Sequence, residues 1–427
     1  MIIQEMFHVA RNCIIMLNNY ICFFLAVILF NACSSNQVET AIVRDGDVYI
    51  VDLDNTPKDA TVKFSSLFRS AKFILLEDSE DALFAKINKI EVSDSYIFVL
   101  ERERGLYLFD KNGKFIRTIG RKGGGPGEFI SLSDFSINEN KKEISLLDRR
   151  TQTVIKYTFE GKYLDSFRLL NDETISSFLY SSNDQVYTDL YYFSGADEGF
   201  LLRRMDTLGQ NVSYSLPIIE YTKGWNELIH PEQELFVTVG KEARFIQVFM
   251  DTIMRITADG VSPYIALESR RLTTVEDLKK EEGSSGKEEQ LKERLLSLLT
   301  LNGKNKVYNI DNYFESDDHI YFECEDGSEK CSVLIDAKNN KIKLFGELYN
   351  DVVFSGETEY LMPTRFKCTD EGGVYAVMMN SDLSREDFLK KIRENSLNEN
   401  LGQETISRLK TLSYDSNPII VYYEYAD

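Results

Sequence analysis

Short runs of alternating apolar and polar residues, each closed by a polar turn, recur through most of this chain. Gly105 to Phe115 reads GLYLFDKNGKF, Thr153 to Tyr163 TVIKYTFEGKY, Phe200 to Gln210 FLLRRMDTLGQ, Thr252 to Val261 TIMRITADGV and Ser332 to Ile342 SVLIDAKNNKI. Gly113, Gly161, Gly209 and Gly260 mark the turns, 48, 48 and 51 residues apart, and Asn340 follows 80 residues later, across an insertion. A second alternating run precedes each: SYIFVL from Ser95, KEISLLD from Lys142, DQVYTDL from Asp184, ARFIQVF from Ala243 and HIYFEC from His319. A sixth, GVYAVM from Gly373, is expected to pair with PIIVYYEY from Pro418. Period-two alternation rich in β-branched and aromatic residues predicts strands. Six copies of about four strands each predict an all-β, six-bladed β-propeller. The last copy lacks an outer strand, and AKFILL from Ala71 to Leu76 is expected to supply it, closing the ring and removing an exposed edge.

Two segments break the pattern with helical periodicity. Thr273 to Thr300 opens with a capping box, Thr273 to Glu276, is interrupted at Gly283–Gly286, and then sets Leu291, Leu295, Leu298 and Leu299 on one face. Ser384 to Leu412 has Ser384 as its expected N-cap and Phe388, Leu389 and Ile392 facing inward. Such helices bury an apolar face against a blade; the sharper reading is a lid over the central channel.

Propellers commonly exceed ordinary domain size as one unit, so 427 residues fit a single domain. The expected boundaries are a leader at 1–32, a tether and N-terminal strand region at 33–60 and the propeller at 61–427. A formal charge of -20, from 49 basic and 69 acidic residues, repels phosphate backbones and anionic lipid heads and argues against nucleic acid as a partner. Near the start, an apolar run from Ile21 to Phe30 is too short to span the roughly 30 Å hydrocarbon core as a helix and suits a signal-peptide core. It ends in Phe30-Asn31-Ala32-Cys33-Ser34-Ser35, which resembles a lipobox. That resemblance implies lipidation at Cys33 and a cell-envelope protein anchored to the outer membrane, on its periplasmic or surface face. A plain signal peptide with an incidental Cys33, or a short anchor helix, is the simpler alternative.

The stretch from Leu108 to Phe129, LFDKNGKFIRTIGRKGGGPGEF, resembles NHL-repeat proteins. It is more closely similar to six-bladed β-propeller lipoproteins of Bacteroidetes-type bacteria. The likeness continues through DTIMRITADGVSPY at Asp251 to Tyr264 and ends in Asn417-Pro418-Ile419-Ile420. Ile265 to Glu268 departs from the Asp-Phe-Gly-like turn more usual there. The resemblance implies fold and envelope location and carries over no catalytic residue.

Candidate chemistry is sparse. The loop Gly120 to Gly127 lacks the Gly-Lys-Ser/Thr ending of a phosphate-binding P-loop. Its glycines suit a tight crossing between blades, while its amides could form an anion nest beside Arg121 and Lys122. No Gly-x-Ser-x-Gly elbow occurs, and only His230 and His319 follow the leader. Calcium ligands lining the channel would come from inner strands, where Asn88, Asp134, Asn312 and Glu315 do not repeat in register. No cofactor is therefore implied. Trp225 suits stacking on a sugar ring or anchoring a partner, or else capping the core. Cys324 and Cys331 flank the turn signal Asp326-Gly327, so they are expected to face one another and form a hairpin disulfide, leaving Cys368 as a buried thiol. The competing reading is three unpaired thiols, enforced by a one-residue register slip. Two functions remain: a non-catalytic envelope binding or scaffold protein for a glycan, peptide or protein, and a metal-dependent hydrolase or lyase at the channel.

Overall fold

A computed structural model describes residues 40–427, apart from 170–173, 183, 193–198, 226–233, 279–304, 356–364, 371, 395 and 427. Six of its sheets are the blades of a propeller, and a seventh pairs Thr174–Ile175 with Tyr191–Tyr192. Blade 1 holds Lys89–Val92, Tyr96–Glu101, Gly105–Asp110 and Phe115–Ile119, and blade 2 holds Leu132–Asn138, Glu143–Asp148, Thr153–Thr158 and Tyr163–Arg168. Blade 3 holds Leu179–Ser182, Gln185–Asp189, Phe200–Asp206 and Ser213–Pro217, and blade 4 Phe236–Val239, Glu242–Phe245, Thr252–Thr257 and Gly260–Glu268. Blade 5 holds Val307–Glu315, His319–Asp326, Glu329–Asp336 and Lys341–Tyr349. Every alternating run read from the sequence is a second or third strand. The second strands of blades 1, 2 and 6 are almost wholly buried because both faces meet neighbouring blades, as Ile97, Phe98, Val99 and Leu100 show.

Blade 6 joins the chain ends. Arg365–Asp370, Gly373–Met378 and Ile419–Tyr425 are followed on the outside by Phe68–Ile74, with Val421 opposite Phe73 and Tyr423 opposite Ala71. The closing strand begins three residues earlier than Ala71 and ends at Ile74. Leu75 and Leu76 turn away because the chain there crosses the blade 1 hairpin, where Glu77 N donates to Gly113 O at 2.8 Å. Gly113 has φ +87°, and a Cβ on it would stand 2.3 Å from the Leu75 carbonyl oxygen, so both turn and crossing require glycine.

The segment expected as tether is also built into the sheets. Val48–Asp52 pairs in parallel with Gly260–Glu268 and brings Val43–Asp45 outside it on blade 4; Thr40–Ala41 and Lys58–Lys63 both pair with Lys341–Tyr349 on blade 5. Beyond Glu268, a short 3-10 turn at Glu276–Leu278 is held by the Asp277 carboxylate, which accepts from the Thr274 backbone and hydroxyl. The helix expected after it lies outside the described residues. In the second insertion a helix runs Asp382–Arg393. Its N-cap is Ser381 rather than Ser384; Ser384 sits at the third helical position and closes a reciprocal capping box. Phe388, Leu389 and Ile392 are buried, and Phe388 packs on Phe73 and Phe354, so this helix covers the flank of blades 5 and 6.

Candidate functional site

An inner strand has a partner on one side only, so its remaining backbone groups need other partners when buried. Side chains reaching from one blade to the next supply them. Glu91 accepts from Ile137 N at 3.0 Å, Asp134 from Leu179 N at 2.9 Å, Ser136 from Ser181 N at 3.1 Å and Asn312 from Phe366 N at 2.9 Å. Lys89 donates to Phe135 O at 2.7 Å, Arg102 to Ser133 O at 2.7 Å and Lys367 to Asn88 O at 3.2 Å. Lys89 also pairs with Glu91 and Asp134, at 3.0 and 3.2 Å, and Lys367 with Glu234 at 2.6 Å. Burial opposes the charge on Lys89, but Asp134 and Glu91 outweigh it and hold its pKa above the ordinary value. The axis of the propeller is thus crossed by inter-blade staples.

A second device repeats at the ends of second strands. Asp148 accepts from Ile130 N and Ser131 N, and Asp189 from Ser177 N and Phe178 N, in each case fixing the entry to the same blade's inner strand. Each of the channel residues considered as calcium ligands has a partner within the protein. Asn88 accepts from Arg102 N, Asp134 and Asn312 are staples, and Glu315 holds Arg244. Among the described residues no group of three or more His, Cys, Asp or Glu is placed to hold a metal ion.

Arg121 and the glycine-rich loop form a closed unit. The Glu128 carboxylate folds into the loop's own amides, accepting from Gly125 N at 2.7 Å and from Arg121 Nε at 2.5 Å, which holds its pKa below the usual range. A Cβ on Gly123 would stand 2.1 Å from that carboxylate, so the nest read from the sequence already contains an anion of the chain. Lys122 reaches Glu103 O at 3.5 Å. Trp225, 8% exposed, lies in a different connection and packs with Val248, Phe249 and Tyr308, its ring 5.1 Å from Phe249 at 77°. The structure therefore does not bring Trp225 together with Arg121 and Lys122. His319 starts a second strand, and His230 lies outside the described residues.

One cavity was not anticipated from the sequence, although Glu315 in its wall was considered there as a calcium ligand. Hairpins joining first to second strands all emerge at one end of the propeller, and those of blades 1, 4, 5 and 6 enclose a cavity of about 920 Å³. Its lining includes Asp94, Glu242, Glu315, Asp317 and Asp370, with Arg244 as the single cation among the described lining residues. Arg244 is consumed: Nε and Nη2 donate to both Glu315 oxygens at 2.8 and 2.9 Å, and Nη1 to Glu242 at 2.9 Å. Tyr264 and Tyr313 donate to the same Glu315 carboxylate at 2.7 and 2.5 Å. Burial and the Glu315 charge push both phenols up, so they remain donors. Tyr49, from the N-terminal strand, completes this wall with its ring edge-on to Tyr264 at 5.7 Å. On the opposite wall Asp370 accepts from Tyr422 at 2.7 Å and from Gly372 N at 3.0 Å. Asp94 and Asp317 are exposed and make no hydrogen bond or ion pair with any described residue. In blades 2 and 3 the corresponding acids, Glu139 and Asp184, are neutralised by Lys142 and Lys141.

A family profile matches residues 48–424. The chain belongs to the family described as Domain of unknown function (DUF4934). The match runs from the N-terminal strand bearing Tyr49 to the last strand of blade 6, so the cavity residues all fall within this family's domain. A crystal structure of a Bacteroides fragilis protein assigned to the exported class superposes with TM-score 0.66 at 20% identity, covering 88% of this chain and 100% of its own. A member of the duf4221 family from Bacteroides vulgatus gives TM-score 0.49 at 11% identity over 84% of this chain and 98% of its own. No curated protein matches the chain in sequence.

Proposed function

We propose that this DUF4934 protein is a non-catalytic binding protein of the cell envelope that takes a positively charged ligand at the hairpin-end cavity. The carrying observation is the cavity itself: about 920 Å³, with five carboxylates in its lining and its one guanidinium locked by Glu315 and Glu242. That volume falls in the range of small-ligand sites, and the excess negative charge selects for amines over carboxylates or phosphates. An amine-bearing peptide or sugar is the chemistry that fits. Glu315, held by Arg244, Tyr264 and Tyr313, fixes the shape of one wall, and the exposed carboxylates of Asp94 and Asp317 supply acceptors at the rim. The lipobox-like Cys33 and the exported relative from Bacteroides fragilis support an envelope location.

The test is isothermal titration with tetralysine and with tetraglutamate. Tetralysine binds and tetraglutamate does not. Asp94→Asn and Asp317→Asn each weaken binding by roughly five-fold, as about 1 kcal/mol per exposed charge contact requires. The affinity also falls as salt is raised. Equal binding of both peptides, or binding indifferent to both substitutions, would overturn the proposal.

A further inference from the structure

Blade 5 carries a modification site that is independent of the cavity reading. Cys324 and Cys331 lie on its second and third strands, directly opposite in register, and only two residues, Gly327 and Ser328, separate those strands at the turn. Ala337 N donates to Asp318 O at 2.8 Å, so by the two-residue period of the ladder Cys324 and Cys331 form a hydrogen-bonded pair. Such pairs have Cα atoms about 5.5 Å apart, inside the Cα span of disulfides, and Cβ atoms toward the wide end of about 4.5–5.5 Å, so the two cysteines, free thiols in the structure, must draw slightly together to bond. The sequence left open a slip that would turn the thiols to opposite faces; the observed register puts both on one face, packed among Ile310, Phe322 and Val333. Lys58 pairs with Asp326 and Glu329, and Arg271 with Asp326, so two cations flank the Cys331 end of the hairpin. The neighbouring Cys324 thiol donates to Cys331, lowering the Cys331 pKa while raising that of Cys324.

We infer that Cys324 and Cys331 are joined by a disulfide in the exported protein. The two thiols lose two protons and two electrons, and the electrons pass to the disulfide of an envelope thiol oxidoreductase. One of the two cysteines attacks that disulfide as its thiolate, forming a mixed disulfide and releasing one carrier thiolate. The other cysteine, losing its proton, then attacks the first cysteine's sulfur, displaces the second carrier thiolate and closes the bond. Both cysteines are almost fully buried, at 1% and 2% exposure, so exchange occurs before the hairpin packs and the finished bond is shielded afterwards. Cys368 is buried against a different apolar cluster and stays a thiol.

Tryptic mapping tests this directly, because Lys330 lies between the two cysteines. Full-length protein is taken from the host envelope, alkylated without reductant, and digested. Residues 307–330 and 331–338 are expected as one linked pair that separates on reduction, with the Cys368 peptide alkylated throughout. Alkyl label on both Cys324 and Cys331 before reduction, or a link from either to Cys368, would overturn the inference. A linked pair with no tetralysine binding would retain the disulfide and defeat only the cavity reading.

Discussion

Removing the Asn417 side chain should loosen the closure of the ring. Asn417 precedes the third strand of blade 6 and is 3% exposed. Its Oδ1 accepts from Phe84 N at 2.9 Å, and its Nδ2 donates to Ala82 O at 2.7 Å and Glu77 O at 3.3 Å. These bonds hold the segment that leads from the closing strand of blade 6 into blade 1. Asn417→Ala strands one buried amide and weakens the pairing of two carbonyls. A buried group left without a partner costs about 1–3 kcal/mol, so the sum is about 3 kcal/mol. With an unfolding entropy of about 2.1 cal/mol/K per residue, a cooperative unit of nearly 390 residues has about 0.8 kcal/mol per degree, giving a Tm drop of about 4 °C. Asn417→Asp keeps the acceptor for Phe84 but sets a carboxylate against two carbonyls, and should be at least as destabilised. Thermal melts followed by far-UV circular dichroism at one protein concentration check both. A Tm within about 1 °C of the parent for both variants would show that the staple does not secure the ring.

Asp189 is buried, and desolvation lifts its pKa to about 7 although Phe178 and Ser177 amides bind it. A carboxyl raised in the folded state holds its proton where the unfolded chain has lost it, so its contribution to stability is present below about pH 4 and lost as pH rises to about 7. Asp189→Asn keeps both amide contacts and has no proton to lose, so its Tm relative to the parent should rise across that window; a constant difference between pH 4 and 8 would refute the assignment. For anchoring, Cys33→Ala should move the protein from the membrane pellet to the soluble envelope fraction, and unchanged pelleting would remove the lipid tether from the account.

The blades were legible because each second and third strand carries its own alternation, as in Tyr96–Glu101 and Glu143–Asp148, and because left-handed turns recur at Gly113, Gly161, Gly209, Gly260 and Asn340. Edge strands were harder. Phe68-Arg69-Ser70 is mostly polar, and Lys58–Lys63 lies against blade 5 with no turn of its own, so neither announces itself. The N-cap moved from Ser384 to Ser381 because both serines fit the pattern, and only the spacing to Phe388 and Ile392 on the buried face decides between them. The cavity was not legible because Asp94, Glu242, Asp317 and Asp370 come from four hairpins spread over most of the chain. A signal was present nonetheless: each first hairpin or its flank carries an acid, and Glu139 and Asp184 complete the set. Arg121 and Trp225 drew attention as isolated residue types, yet their environments are an intraloop ion pair and an aromatic cluster.

On the proposed function, ligand enters between the first hairpins of blades 1, 4, 5 and 6. Hydrogen–deuterium exchange of the full-length protein, with and without saturating tetralysine, measures this at the level of segments. Slowed exchange is expected at residues 93–96, 239–243, 316–320 and 369–374, with the loop at 120–127 and the segment around Trp225 unchanged. Protection confined to 120–127 or to the Trp225 segment, with the four hairpins unaffected, would contradict it.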